Sequence, residues 1–333
     1  VTVLPVVDLG QASIEVLHKE LGQRWQSRGQ LLHEISRYAL LPPGKLLRPL
    51  LCMESAKAVG RGDVSAALPA ALAVEYLHVG SLIHDDIIDD DHQRRGRPSV
   101  YGRYGMTDAI VTGDALFLQT FAVLTELGDT EVPASAVVSA VRILAEAGVD
   151  ICEGQTLEGQ LVGDIRCGLG SYHRMAELKT GALFRAACES GAVLAGGPPQ
   201  LAEAMRGYGQ HLGVAFQMGD DLLAYTSDDD LTGKAGTSDI ATRRPTFPLL
   251  IGYQAAARPH RRRYEAILSG EVPAAEARAE LSEMVGATDA LELARWHAQR
   301  EADRAKDMLT DLPASASADL LAAIADSSVA REY

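Results

Sequence analysis

Aromatic residues are scarce in this chain of 333 residues: they make up 5% of it, against 47% hydrophobic residues overall. Ala and Leu fill a core of that make-up, and the short β-branched runs favour helix over sheet. Positive charge is short as well, since 31 Lys and Arg stand against 45 Asp and Glu, a net charge of −14. That balance argues against general nucleic-acid binding, because neutralising phosphates needs clustered cations. Four cysteines, Cys52, Cys152, Cys167 and Cys188, show no CxxC pair and no metal-ligand spacing. They read as small buried hydrophobes in a reducing compartment. No charged-then-apolar segment opens the chain. No uninterrupted apolar run attains the roughly 18 residues of a membrane span. The expectation is a cytoplasmic protein that does not span a membrane. A GxxxxGK[ST] loop and a nucleophile elbow are also lacking, which removes the commonest nucleoside-triphosphate and serine-hydrolase chemistries.

What the chain has in abundance is helical periodicity. Apolar residues from Ile14 to Leu40 predict a long helical stretch, loosened at Gly22 and Gly29 and broken at Pro42, Pro43 and Gly44. The same pattern predicts helices over 46–59, 68–90, 106–127, 134–147, 149–162, 171–195 and 201–225. From Thr246 onward helix returns, with breaks near Gly270 and Gly286, while 92–104 and 227–245 read as polar loops. There is no linker and no fixed-period repeat, so residues 1–333 form one all-α domain, a bundle of ten or more helices.

Two segments echo each other: SLIHDDIIDD (Ser81 to Asp90) and FQMGDDLLAY (Phe216 to Tyr225). Residues four apart share a helix face, so Asp85 pairs with Asp89, and Asp86 with Asp90. Like charges at that spacing repel, and these follow an apolar stretch, so they call for cations or metal. Hard carboxylate oxygens that leave room for substrate phosphate suit Mg²⁺. Cations lie close in sequence to the acids and to turn signals: Lys45 and Arg48 on an opening helical turn, Arg94 and Arg95 after the first cluster, then Lys179 with Thr180, and Lys234. Arg forks and mobile Lys ammonium groups bind phosphate, so the set describes a pocket for two diphosphates. His84 reads as a packed histidine rather than a base.

Taken in order, GKLLRP (Gly44 to Pro49), HDDIIDDDHQRRGRPS (His84 to Ser99), GD (Gly113, Asp114), GQTLEG (Gly154 to Gly159), KTGALF (Lys179 to Phe184), FQMGDD (Phe216 to Asp221) and GKAG (Gly233 to Gly236) resemble the trans-isoprenyl diphosphate synthases. The resemblance implies the isoprenoid synthase fold around a central prenyl-chain cavity, and head-to-tail condensation of isopentenyl diphosphate with an allylic diphosphate. It implies that Asp85, Asp89 and Asp220 hold Mg²⁺, three ions with diphosphate bound, supported by Asp86 and Asp221. Arg94, Lys179 and Lys234 would grip the allylic diphosphate, with Thr180, Phe216 and Gln217 nearby. Gly44, Lys45, Arg48, His78 and Arg95 would receive isopentenyl diphosphate. A homodimer is implied by the resemblance alone.

Departures from the pattern carry information too. The second acidic motif ends in Ala224, Glu158 stands where Asp is usual, and Arg243 or Arg244 replaces a lysine beyond the second motif. Bulky side chains four or five positions before the first Asp shorten the product in this family, yet here they are Ser81 and Gly80. The floor is therefore expected deeper, at Leu77, Tyr76 or Phe117, and the product at geranylgeranyl diphosphate or longer. Two other readings stay open: a terpene cyclase on the same fold, and a regulatory subunit of a heteromeric synthase.

Overall fold

A computed structural model describes residues 10–60, 64–226 and 243–330. Its helices are α1 (Gln11–Arg24), α2 (Leu31–Leu40), α3 (Leu47–Ala58), α4 (Ala67–Ile88) and α5 (Val100–Thr125). They continue with α6 (Ala134–Leu161), α7 (Gly168–Ala176), α8 (Ala182–Leu194) and α9 (Pro199–Thr226). The last are α10 (Phe247–Ala255), α11 (Arg258–Leu268), α12 (Ala274–Gly286), α13 (Ala290–Asp307) and α14 (Ala316–Val329).

Helix α4 is buried on every side from Ala70 to Leu77, and apolar there except for Glu75, the pattern of a helix surrounded by neighbours. α3, α5 and α8 supply that surround. Buried side chains form two clusters. The first gathers α1 to α6 with α8 and α14, and the second gathers α7 with α10 to α13. Helix α9 runs through both: Met205, Tyr208 and Leu212 belong to the first, while Val214, Met218 and Leu222 belong to the second. The seam between the clusters is where the cavity lies.

Several local expectations change. Gly22 does not loosen α1, which runs to Arg24; the break falls across 25–30, with Gly29 at φ 72°. Gly148 does not interrupt α6, because a single helical glycine costs only about 1 kcal/mol and the flanking turns are packed. The segment 92–104 is not simply loop. Gln93–Arg94 pairs with Arg97–Pro98 in a hairpin whose turn residues Arg95 and Gly96 have φ 55° and 74°. Both values are those of a two-residue type I′ turn. A short helical run opens α5 at Val100, where Ser99 caps it by accepting from the Gly102 N–H at 2.9 Å, and a kink at Gly105 (φ 84°) separates it from the long helix that begins at Met106 as expected.

The expectation about apolar runs holds, since Arg103, Asp108 and Asp114 interrupt the helix that comes nearest to such a run. The helical span Val100–Asp129 is long and apolar enough, by length and composition, to cross a membrane. It packs against α4 and α2 as an element of the bundle. Among the cysteines, Cys52 and Cys188 are buried as expected, but Cys152 is exposed and Cys167 half-buried.

Candidate active site

The first acidic motif sits on the last turn of α4. Asp85 and Asp89 both line a cavity of about 690 Å³. Asp86 points away from it and is buried, where Arg94 donates to its Oδ1 from Nε at 2.7 Å and from a terminal nitrogen at 2.6 Å. The pairing of Asp86 with Asp90 on one face does not hold. The helix ends at Ile88, and Asp90 turns to φ 54°, where its exposed carboxylate accepts from the Tyr101 hydroxyl at 2.8 Å. Arg94 is thus spent on locking the hairpin to α4 and is not among the cavity's lining residues.

The second motif lies on α9. Asp220 and Ala224 line the same cavity, and Asp220 is exposed to it. Asp221 is buried and accepts from Gln217 Nε2 at 3.0 Å and from the Phe247 N–H at 2.8 Å, tying α9 to the start of α10. Helix α8 packs against both α4 and α9, holding the two acidic helices on either side of the cavity.

Between α7 and α8 the chain makes a π-helical turn, Glu177–Gly181. Such turns re-aim side chains within a helix and recur at functional sites. This one presents Lys179 and Thr180 to the cavity. Its backbone is pressed from two sides: a Cβ on Gly154 of α6 would collide with the Lys179 backbone, and one on Gly213 of α9 would come within 2.6 Å of Gly181 Cα. Thr180 then donates to Gln217 Oε1 at 2.6 Å.

Lys179 connects the walls. Its Nζ lies 2.6 Å from Glu158 and 3.6 Å from Asp85. Arg244 bonds Asp89 and approaches Glu158 at 3.3 Å. Of the two arginines after the second motif, Arg244 is therefore the one that enters the cavity; Arg243 donates instead to the Ser269 carbonyl at 3.1 Å. Glu158, seen in sequence only as a departure, is the hub that joins both cations. Lys234 lies outside the described residues.

The second group of cations is assembled beside this cavity. Arg48 and His78 line it, and Arg48 donates to His78 Nε2 at 3.3 Å. Burial, with Arg48 and Arg95 nearby, holds His78 well below the ordinary histidine range, so it is a neutral acceptor rather than a third cation. The Arg48 guanidinium lies 4.5 Å from the Phe184 ring centre and 6.0 Å from that of Phe216. Gly44 lies against the Arg95 guanidinium, where any Cβ would clash. Lys45 precedes the helix instead of sharing its first turn with Arg48, because Leu46 adopts a left-handed φ of 51° as the cap. Gly44, Lys45 and Arg95 are not among the lining residues of the main cavity.

Of the expected floor residues, Ser81 and Phe117 line the cavity. Leu77 and Tyr76 do not; both are buried, Leu77 toward Gly148 and Tyr76 under Trp25, whose Nε1 donates to its hydroxyl at 3.1 Å. Gly80 lies under Phe117.

Among the described residues no three His, Cys, Asp or Glu side chains cluster tightly enough to hold an ion unaided. The donor set still fits Mg²⁺, which takes one or two carboxylates and fills its other positions with water and phosphate oxygens. Asp85 and Asp89 from α4 and Asp220 from α9 leave that space between them.

Comparison with known proteins identifies the family. The polyprenyl synthetase family profile matches residues 29–285. A short chain isoprenyl diphosphate synthase from Methanothermobacter thermautotrophicus is 37% identical over 305 residues, 91% of each chain. A geranylgeranyl diphosphate synthase from Methanosarcina mazei is 33% identical over 309 residues, 92% of each. Among solved structures, a polyprenyl synthase from Caulobacter crescentus, crystallised with calcium and isoprenyl diphosphate, superposes with a TM-score of 0.89 at 29% identity, covering 99% of this chain and 98% of that one. The chain belongs to the polyprenyl synthetase family and is a prenyltransferase with the isoprenoid synthase fold.

Proposed function

We propose that the protein condenses isopentenyl diphosphate head-to-tail with an allylic diphosphate. The carrying observation is that Asp85 and Asp89 of the first motif, Asp220 of the second, Lys179 and the Arg48–His78 pair all face one cavity. Asp85, Asp89 and Asp220 would hold Mg²⁺, three ions with diphosphate bound, which when present neutralises charge on the leaving diphosphate. Lys179 and Arg244, which lie among these acids, would turn to the allylic diphosphate as it enters. Thr180 and Gln217 would orient its oxygens.

Breaking the allylic C–O bond releases diphosphate and leaves a carbocation at C1. The double bond of isopentenyl diphosphate, held by Lys45, Arg48 and Arg95 with His78 orienting Arg48, then attacks C1 and forms the new C–C bond. A proton leaves the former isopentenyl unit to the departing diphosphate, so charge and atoms balance. Apolar lining from Leu82, Leu183 and Phe216 keeps water from trapping the cation.

For the product we infer geranylgeranyl diphosphate. Small residues at Gly80 and Ser81 leave room on α4 for a tail to pass, and Phe117 from α5 narrows that passage at the depth of Gly80. We also infer a homodimer. Met106, Ile110, Val111 and Leu118 on α5, with Val138 and Val149 on α6, expose large apolar side chains on neighbouring helices.

Incubation with Mg²⁺, isopentenyl diphosphate and geranyl or farnesyl diphosphate, with products resolved by mass spectrometry, tests the reaction. Elongated prenyl diphosphates are expected. Their absence with every starter sinks the reading, and a hydrocarbon from a lone prenyl diphosphate replaces it with a cyclase.

A further inference from the structure

His84 precedes the first metal motif and lines the same cavity, with its ring packed against α5. Its ring meets Phe117 edge to face, with centres 5.2 Å apart and planes at 87°. Its Nε2 donates to the Ile110 carbonyl at 3.2 Å and lies 3.6 Å from Asp114. Gly113 makes room for it: a Cβ there would overlap the imidazole. The Gly113–Asp114 pair thus forms a seat for His84, one residue providing space and the next a polar edge.

Phe117 is held on its other side by α4. A Cβ on Gly80 would lie 2.8 Å from its ring. The ring is therefore confined between Gly80 and His84, one turn of α4 apart, and it lines the cavity with Ser81. At 1.5 Å rise per residue, Gly80 lies about 7.5 Å along α4 from Asp85. An aromatic ring at that depth is a constriction for a growing tail that starts from a diphosphate held at Asp85, and its setting decides how readily the tail passes deeper.

We propose that His84 is a positioning residue for product length: seated on Gly113, Asp114 and Ile110, it fixes the Phe117 ring across the prenyl cavity. The role rests on the elongation reading above. Without the imidazole, Phe117 loses its edge-to-face partner on the side toward Asp85 and gains room to rotate away from the tail.

The test compares product lengths from the purified parent protein and the variants His84→Ala, Phe117→Ala, the double variant and Gly113→Ala, with Mg²⁺, isopentenyl diphosphate and farnesyl diphosphate. His84→Ala is expected to lengthen the main product by one isoprene unit or more, and Phe117→Ala by at least as much. The double variant is expected to match Phe117→Ala, because His84 acts through that ring. Gly113→Ala, which displaces the imidazole without removing it, is expected to lengthen products as well and serves if His84→Ala folds poorly. A structural role alone would lower melting temperature or turnover and leave length unchanged. Parental product length in His84→Ala and Gly113→Ala, or a double variant that exceeds Phe117→Ala, overturns the proposal. No elongation by the parent protein overturns the reaction itself, a separate outcome.

Discussion

Glu75 is buried on α4 in the field of Arg95 and Arg48, three residues before His78. Burial lifts its carboxyl from 4.5 to about 7, and the two arginines only partly offset that. A carboxyl whose folded pKa is raised binds its proton more tightly when folded. Its contribution to stability is therefore complete below about 4.5 and lost as pH rises toward 7. Glu75→Gln should match the parent near pH 4 and be more stable at pH 8 by on the order of 2–3 kcal/mol. Denaturant melts at the two pH values measure this, and equal differences at both would refute it. Ala224 is the other residue whose chemistry can be isolated. It lines the cavity on α9, one turn beyond Asp220. Since Asp220 and the α4 acids already present three carboxylates, Ala224→Asp should alter kcat/KM only a few-fold under saturating Mg²⁺. A gain of a hundredfold would show that the second motif is impaired as it stands.

At the level of elements, the π turn and its clamp decide where Lys179 points. Gly154→Ala would press a methyl against the Lys179 backbone, and overpacking of this kind costs about 1–3 kcal/mol. The expected result is a lower melting temperature together with a raised KM for the allylic diphosphate; an unchanged KM would mean that the turn does not set the lysine. This part of the site was only half legible beforehand. Lys179 and Thr180 stand out in KTGALF, but a π turn inserts no break in apolar spacing, so 171–195 reads as one continuous helix. The hairpin 93–98 escaped for a different reason, since two-residue strands are too short to show alternation. Helix existence was readable because α4, α6 and α9 bury long faces, and Asp85 and Asp89 face the cavity together as their spacing predicts. The ends were not: a left-handed φ at Asp90 separates it from Asp86, and nothing in the residue order announces that turn. The Glu158 link to Lys179 and Arg244 joins three distant segments, and only tertiary packing reveals such a pairing.

On the scale of the molecule, the apolar stripe of α5 is the largest feature left uncovered by the chain itself. Leu118 is 71% exposed, the highest value among the large hydrophobic side chains of the described residues. If a second copy covers it, Leu118→Glu places a charge in a desolvated interface, and sedimentation should show the mass falling from dimer to monomer. A parent protein that sediments as a monomer would refute the dimer directly. The arrangement also separates two demands on α5, whose inner face carries Phe117 and Gly113 and whose outer face carries Leu118.

Helix α9 has a further consequence, because it sends buried side chains into both clusters along most of its length, from Ala202 to Leu212 into one and from Val214 to Leu222 into the other. Neither half of the protein can breathe without loading a common rod. Amide exchange along α9 should therefore be slow and nearly uniform from Met205 to Leu222, even where the α10 to α13 half exchanges faster. Asp220 rides on that rod, so the distance across the cavity is set by how the two halves rest against each other. A ligand that bridges Asp85 and Asp220 would act as a cross-brace between them, and its binding should be felt as slower exchange far from the cavity, in both halves at once.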